Sequence, residues 1–199
     1  MHRRTYRRRS TIFCEGDPGS ALYVIESGEV RISVTSENGK ELVIALLGPG
    51  DFFGDLALLD GEPHSADAVA RQTCVLLLLH RTDFQRYLAP RPEIAHHLLG
   101  VLSRRLRRNT QMLQEAAFLD VSARVASALL QLAERHGRPG GEGTIIATHF
   151  SQTELAAMVG AARESVNKWL RHYERTGLIR STGRSLTIVR PEQLRQRIV

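Results

Sequence analysis

Apolar and polar residues alternate along the first part of the chain, from Ile12 to about Leu79. This period of two is typical of β-strands. It predicts strands at Ala21–Ile25, Glu29–Val34 and Glu41–Leu47, with at least two more between Ala66 and Leu79. Asn38-Gly39, between two alternating runs, indicates a hairpin. Many short strands at this spacing predict a sandwich or barrel.

A short helical pattern, Phe53–Leu59, interrupts these strands. Its first turn begins at Gly54, where free backbone N–H groups could meet an anion.

Helical periodicity replaces the alternation after Leu79, first in Arg81–Leu88 and then from Pro92 to about Phe118. The longer helix carries two stripes, and the first, which we expect to pack on the β domain, is Ile94, Leu98, Val101 and Met112. The second stripe has the alternating three- and four-residue spacing of a heptad seam: Leu99, Leu102, Leu106, Asn109, Leu113 and Ala116. Two stripes need two partners, which predicts a parallel homodimer; burial against another segment of the same chain is the alternative. A polar Asn109 inside the seam favours the dimer, because one such position can fix the register.

A boundary follows at Phe118-Leu119-Asp120. Asp120 is a suitable N-cap for a helix over Val121–His136 that Gly137 closes. Arg138–Gly143 is expected to be a loop, and Thr144–His149 a short strand.

The stretch Ser151–Gly177 predicts two short amphipathic helices joined by a tight turn at Val159-Gly160-Ala161. Ser151 and Glu154 form a capping box. The polar positions of the second helix lie off its buried stripe: Arg163, Glu164, Asn167, Lys168 and Arg171. A positive, hydrogen-bonding outer face is what a helix-turn-helix needs in the DNA major groove. Two strands flanking Thr182-Gly183 add a wing, and Pro191 begins a last short helix.

Composition adds limits to this picture. The 199 residues carry a net charge of +6, which favours a polyanionic partner. We expect the Arg-rich start, as far as Ser10, to be a solvated tail rather than a nucleic-acid contact. Cys14 and Cys74 are too few for a disulfide framework, and reduced thiols in a cytoplasmic protein are expected. Neither a secretory signal nor a membrane-spanning stretch is present in the sequence, so no membrane partner is expected.

The combined pattern resembles the cyclic-AMP receptor protein and fumarate–nitrate reduction regulator (Crp/Fnr) family of bacterial transcription regulators. The motifs that carry the resemblance are Gly50–Leu56, Ala117–Asp120 and Val159–Val166. It implies an α+β fold with a β-roll of the cyclic-nucleotide-binding type (a double-stranded β-helix), a long dimerisation helix and a C-terminal winged helix-turn-helix. The corresponding domains are residues 1–91, 92–119 and 120–199.

The resemblance implies base readout of GTGA-type half-sites by Arg163, Glu164 and Lys168. Arg pairs with guanine O6 and N7, and Glu accepts from cytosine N4. Lys168 replaces an Arg of the family pattern and lacks its fork, so looser discrimination is expected at one base. Phosphate contacts are expected from three further residues, Gln152, Ser165 and Arg184.

The effector pocket departs from the family pattern. By resemblance its candidate residues are Gly54, Asp55, Leu56, His64, Ser65, Asn109 and Thr110. Asp55 replaces the family's ribose-binding Glu, and His64 replaces its phosphate-binding Arg. A His is mostly neutral at cytoplasmic pH, whereas Arg carries a permanent charge. We therefore expect a regulator that is effector-independent or takes another ligand, with control by a cyclic nucleotide as the alternative.

Residue types also bear on other cofactors and on other classes of protein. The cysteine cluster of the family's Fe–S branch is absent, whereas residues that could ligate haem are present: His2, His64, His80, His96 and His97. A cupin-like metal enzyme needs a His pair and a carboxylate inside the barrel, but no His-x-His occurs. A pure interaction module with a vestigial DNA domain is disfavoured by the intact Arg163 and Glu164. We expect no enzyme and no certain cofactor, but a homodimer that binds double-stranded DNA, contacts RNA polymerase and activates transcription.

Overall fold

The computed structural model describes residues 2–146, 150–182 and 185–198. The residues form two compact units, one ending at Asn109 and the other beginning at Thr110. The long helix predicted from Pro92 contains this boundary.

The first unit is built around two four-stranded antiparallel sheets. Their strands are β1 (His2–Tyr6), β2 (Thr11–Phe13), β3 (Ala21–Ser27), β4 (Val30–Thr35), β5 (Glu41–Leu47), β6 (Phe52–Phe53), β7 (Asp67–Ala70) and β8 (Cys74–His80). One sheet has the order β1-β8-β3-β6 and the other β2-β7-β4-β5. Buried residues of both sheets, among them Ile25, Val30, Ala68 and Leu76, form one core. The prediction of a β-rich N-terminal domain is confirmed.

The Arg-rich start is not a tail, so that prediction was wrong. Residues 2 to 6 form β1, which pairs with β8 in register from His2 opposite Leu78 to Tyr6 opposite Cys74. Tyr6 packs against the core while Arg3 and Arg4 stay exposed. The pairing completes the backbone hydrogen bonds of the strongly apolar β8, a cause that lies in a distant part of the chain.

The helices of this part of the chain are α1 (Asp55–Asp60), α2 (Arg81–Leu88) and α3 (Pro92–Phe118), of which α3 continues into the second unit. Leu98 on α3 packs with Leu22, Leu58 and Phe84, as expected for the first stripe. Met112, assigned to the same stripe, lies in the second unit. Along the second stripe Leu99, Leu106 and Leu113 are exposed by 62%, 68% and 71%.

In the part of the chain that the structure describes, the second unit combines the end of α3 and four further helices with a four-stranded sheet. Its elements after α3 are α4 (Val121–His136), β9 (Gly137–Gly140), β10 (Gly143–Ile146), α5 (Gln152–Val159), α6 (Arg163–Arg175), β11 (Ile179–Thr182), β12 (Ser185–Ile188) and α7 (Pro191–Arg195). The sheet order is β11-β12-β10-β9. The expected loop over Arg138–Gly143 was wrong, because Arg138 and Pro139 belong to β9 and pair with β10. The turn at Gly183 and the end of the predicted strand Thr144–His149 lie outside the described residues.

The core of the second unit joins its helices to its sheet. Helices α4 and α6 and strand β12 contribute residues that are nearly inaccessible to solvent: Val125, Leu129, Val166, Tyr173 and Ile188. The helix-turn-helix is therefore fixed on α4 and the wing sheet by one continuous apolar cluster.

Candidate DNA-binding surface and effector pocket

The first helix of the helix-turn-helix begins with the predicted capping box. The Ser151 hydroxyl accepts from the Glu154 N–H at 3.1 Å, and the Glu154 carboxylate accepts from the Ser151 N–H at 2.8 Å. The helix ends at Gly160, which has a φ of 62°. A left-handed residue costs least as Gly, so this position sets the tight turn into α6.

Tyr173 anchors α6 to the helix that precedes the motif. Its hydroxyl donates to the Ser122 carbonyl at 2.9 Å and lies 2.8 Å from the Ser122 Oγ. Burial raises the pKa of Tyr173, so the phenol stays protonated and able to donate. The helical periodicity predicts that Tyr173 lies on the buried face of α6, but nothing in the sequence indicates that Ser122 is its hydrogen-bond partner.

Arg124 provides a second tie between α4 and the motif. Its guanidinium Nη1 donates to the Val159 carbonyl at 3.1 Å, at the end of α5. The carbonyls of a last helical turn have no partner within the helix, and a cation is favourable there. Asp120, as predicted, caps α4 by accepting from the Ala123 N–H at 2.8 Å.

The outer face of α6 presents the three predicted base-reading residues to solvent. Arg163, Glu164 and Lys168 are all exposed. The Arg163 guanidinium donates to the Gln152 Oε1 at 3.4 Å, which links it to the start of α5. Of the predicted phosphate contacts, Gln152 is exposed, Ser165 is partly buried and Arg184 lies outside the described residues.

Asp55 begins α1 in the effector-type domain and is buried. Its Oδ1 accepts from the Arg105 guanidinium of α3 at 2.8 Å. Arg105 also donates to the Phe52 carbonyl, and its Cζ lies 4.6 Å from the centre of the Phe52 ring. The second oxygen, Asp55 Oδ2, is buried and has no hydrogen-bond partner among the residues described. A buried carboxylate oxygen of this kind is suited to accept a ligand hydroxyl.

Gly54 forms the N-cap of α1 with a φ of 76°. A Cβ here would lie 2.9 Å from the Ala21 carbonyl oxygen, so strand β3 leaves no room for a side chain. The left-handed conformation and the close approach both require Gly.

His64 is buried and stacks on Phe13, with ring centroids 3.5 Å apart and an angle of 5° between the planes. Burial lowers the pKa of His64, and the nearby Asp17 carboxylate opposes this only in part. The lowered pKa favours the neutral imidazole at pH 7. The pocket therefore meets only one of two requirements for a cyclic nucleotide. Asp55 suits a sugar hydroxyl, whereas His64 gives no fixed positive charge for a phosphate.

The remaining pocket candidates differ from Asp55 and His64 in their exposure to solvent. Leu56, Ser65, Asn109 and Thr110 are all exposed. In the described part of the chain no three His, Cys, Asp or Glu side chains form a group that could hold a metal ion. Within the same residues, no helix has the length and apolar character that crossing a membrane requires.

Sequence reasoning missed Arg105, although a signal was available. It precedes Asn109 by four residues, which places both on neighbouring turns of one helix face. Phe13 and Phe52 could not have been found, because their contacts depend on the packing of separate strands.

A β-roll of cyclic-nucleotide-binding type, a long helix and a winged helix-turn-helix with a basic outer face define a DNA-binding transcription regulator. A family model for the cyclic nucleotide-binding domain matches residues 3–91, and one for the Crp-like helix-turn-helix domain matches residues 123–197. The chain belongs to the Crp/Fnr family of transcription regulators.

Relatives and solved structures agree with this assignment. The CRP-like cAMP-activated global transcriptional regulator of Mycobacterium tuberculosis is 41% identical over 193 residues, which covers 96% of this chain and 86% of the relative. The cyclic AMP receptor protein of Thermus thermophilus is 39% identical over 180 residues, covering 90% and 80%. The c-di-GMP responsive global regulator CLP of Xanthomonas campestris superposes with a TM-score of 0.85 at 30% identity, covering 94% and 93%. These relatives are regulators, so the expectation that the chain is not an enzyme is confirmed.

Proposed function

We propose that the protein binds palindromic GTGA-like operators as a homodimer and does so without a bound effector. The observation that carries this proposal is the outer face of α6, where Arg163, Glu164 and Lys168 are exposed together on a helix fixed to its core. Arg163 supplies the fork for a guanine, Glu164 accepts from a cytosine, and Lys168 donates to a second guanine. Two recognition helices of a dimer then occupy successive major grooves, about 34 Å apart.

The homodimer is supported by the second stripe of α3. Leu99, Leu106 and Leu113 follow each other at intervals of seven residues, and each is more than 60% exposed. An apolar stripe at this interval is the seam of a two-stranded coiled coil. Asn109 lies between Leu106 and Leu113 and sets their register.

Effector independence is supported by contacts that the chain makes with itself. Asp55 Oδ1 already binds Arg105, an ion pair that links α1 to α3 without a ligand. The neutral His64 attracts a phosphate far less than an Arg would.

A cyclic-nucleotide-responsive regulator is the second candidate. It is favoured by Asp55 Oδ2, a buried acceptor for which a sugar hydroxyl would supply a donor. The relatives from M. tuberculosis and T. thermophilus are named for cyclic AMP. In this case the nucleotide would shift the population between two dimer geometries. In either case we propose that the bound dimer contacts RNA polymerase and activates transcription, which is the common outcome in the Crp/Fnr family.

Fluorescence anisotropy with labelled GTGA palindromes, with and without cyclic AMP, tests both candidates. Tight binding without nucleotide, unchanged on its addition, supports effector independence. Binding that appears only with cyclic AMP contradicts effector independence and supports the cyclic-nucleotide-responsive regulator. If the palindromes bind no more tightly than scrambled DNA under every condition, the proposed recognition of GTGA-like operators is wrong. Arg163→Ala should weaken operator binding by about 1–3 kcal/mol and relax the preference at one guanine.

A further inference from the structure

Asn167 lies on the outer part of α6, within the group of residues proposed to read bases. It follows Arg163 by four positions and Glu164 by three. At 3.6 residues per turn, Glu164 lies about 100° around the helix from Arg163, and Asn167 about 40°. Asn167 therefore lies between the directions of these two side chains, about one turn further along the helix.

The side-chain amide of Asn167 has an unsatisfied hydrogen-bond acceptor. Its Oδ1 is buried but has no partner among the residues described, although the residue as a whole is partly exposed. A buried acceptor without a donor is unfavourable. A partner supplied by bound DNA would remove this cost, which favours an amide that turns outward on binding.

We propose that Asn167 is a specificity-determining residue that reads the adenine of the second base pair in each GTGA half-site. This inference rests on the proposed function, and it places Arg163 on the guanine of the first base pair and Glu164 and Lys168 on the G·C pair at the third position. The T·A pair lies between these two, as Asn167 lies between Arg163 and Glu164. An amide has one donor and one acceptor side, which match adenine N6 and N7 in the major groove.

The test uses four palindromes that carry each of the four base pairs at the second position of both half-sites. Their dissociation constants are measured by anisotropy at one fixed salt concentration for the wild type, Asn167→Ala and Asn167→Asp. We expect the wild type to prefer T·A by roughly 5- to 150-fold per half-site over the other pairs, the range of one good bidentate contact. Asn167→Ala should lower this preference to a few-fold while keeping the preference at the Arg163 guanine. Asn167→Asp, which only accepts, should shift the preference towards the pair with cytosine on the strand that Asn167 contacts.

Arg171→Ala is the matched control, because Arg171 is an exposed residue of the same outer face one turn further on. As a phosphate contact it should weaken binding to all four palindromes alike. The inference is overturned if wild type and Asn167→Ala show the same preference at the second base pair. That result leaves the proposed function standing, since GTGA palindromes would still bind. Failure of the wild type to distinguish any GTGA palindrome from scrambled DNA would instead overturn the proposed function together with the inference.

Discussion

Truncating Leu106 to Ala should weaken the dimer strongly while leaving the protomer folded. The change removes three carbon groups, worth about 2.4 kcal/mol if fully buried at about 0.8 kcal/mol each. Leu106 is 68% exposed in the single chain, so dimerisation can bury about two-thirds of this, roughly 1.6 kcal/mol per copy. Two copies meet in a parallel seam, so the total is about 3 kcal/mol, or a roughly 200-fold higher dissociation constant.

Sedimentation velocity over a dilution series measures this constant directly. Leu59→Ala on α1 is the matched control, because Leu59 is also exposed, by 45%, but lies off the seam. Leu59→Ala should leave the constant within a few-fold of wild type. A dissociation constant that is unchanged in both Leu106→Ala and Leu113→Ala would show that α3 is not the dimer seam.

Three further predictions concern stability. Asp120→Ala removes the cap on the Ala123 N–H and should cost about 1 kcal/mol, lowering Tm by about 2–4 °C in calorimetry; an unchanged Tm would mean that water replaces the cap. Tyr173→Phe should cost about 1–2 kcal/mol in urea unfolding, because the Ser122 hydroxyl and carbonyl both lose their buried partner. In a Ser122→Ala background the cost should become smaller but should not vanish, because the carbonyl of residue 122 still accepts from the tyrosine; an equal cost in both backgrounds would show that the two hydroxyls do not interact. Because burial lowers the pKa of His64, the unfolded chain binds a proton more readily than the folded one. This contribution to stability is therefore present above pH about 6.5, the ordinary pKa of His, and is lost as the pH falls below it. His64→Gln should flatten this dependence in pH-resolved urea titrations, and an equally steep slope would assign the effect to other groups.

The elements of this fold were largely predictable, because their signals are local. The capping box at Ser151, the N-cap at Asp120 and the 27-residue helix from Pro92 to Phe118 all lie where periodicity and capping rules predict them. β1 and β9 were missed because neither has the alternation of apolar and polar residues that indicates a half-buried strand. Both form because a neighbouring strand offers unpaired backbone groups, which is a non-local cause.

The effector pocket shows a different limit of sequence reasoning. Asp55 and His64 could be compared with a family pattern one residue at a time, but their surroundings could not. The Arg105 ion pair and the Phe13 stack join segments about 50 residues apart in the chain. These contacts decide whether Asp55 keeps an oxygen for a ligand and whether His64 carries a charge. Chemistry of this kind is settled by packing rather than by residue type.

The pairing of β1 with β8 has a practical consequence for shortened versions of the protein. β1 is the outer strand of its sheet, and its exposed arginines discourage other chains from adding to that edge. Deleting the first six residues would leave β8, with the apolar run Val75–Leu79, as the new outer strand. Its open backbone groups would then invite pairing between molecules, so a shortened protein is expected to precipitate even though no residue of the DNA-binding surface has been removed.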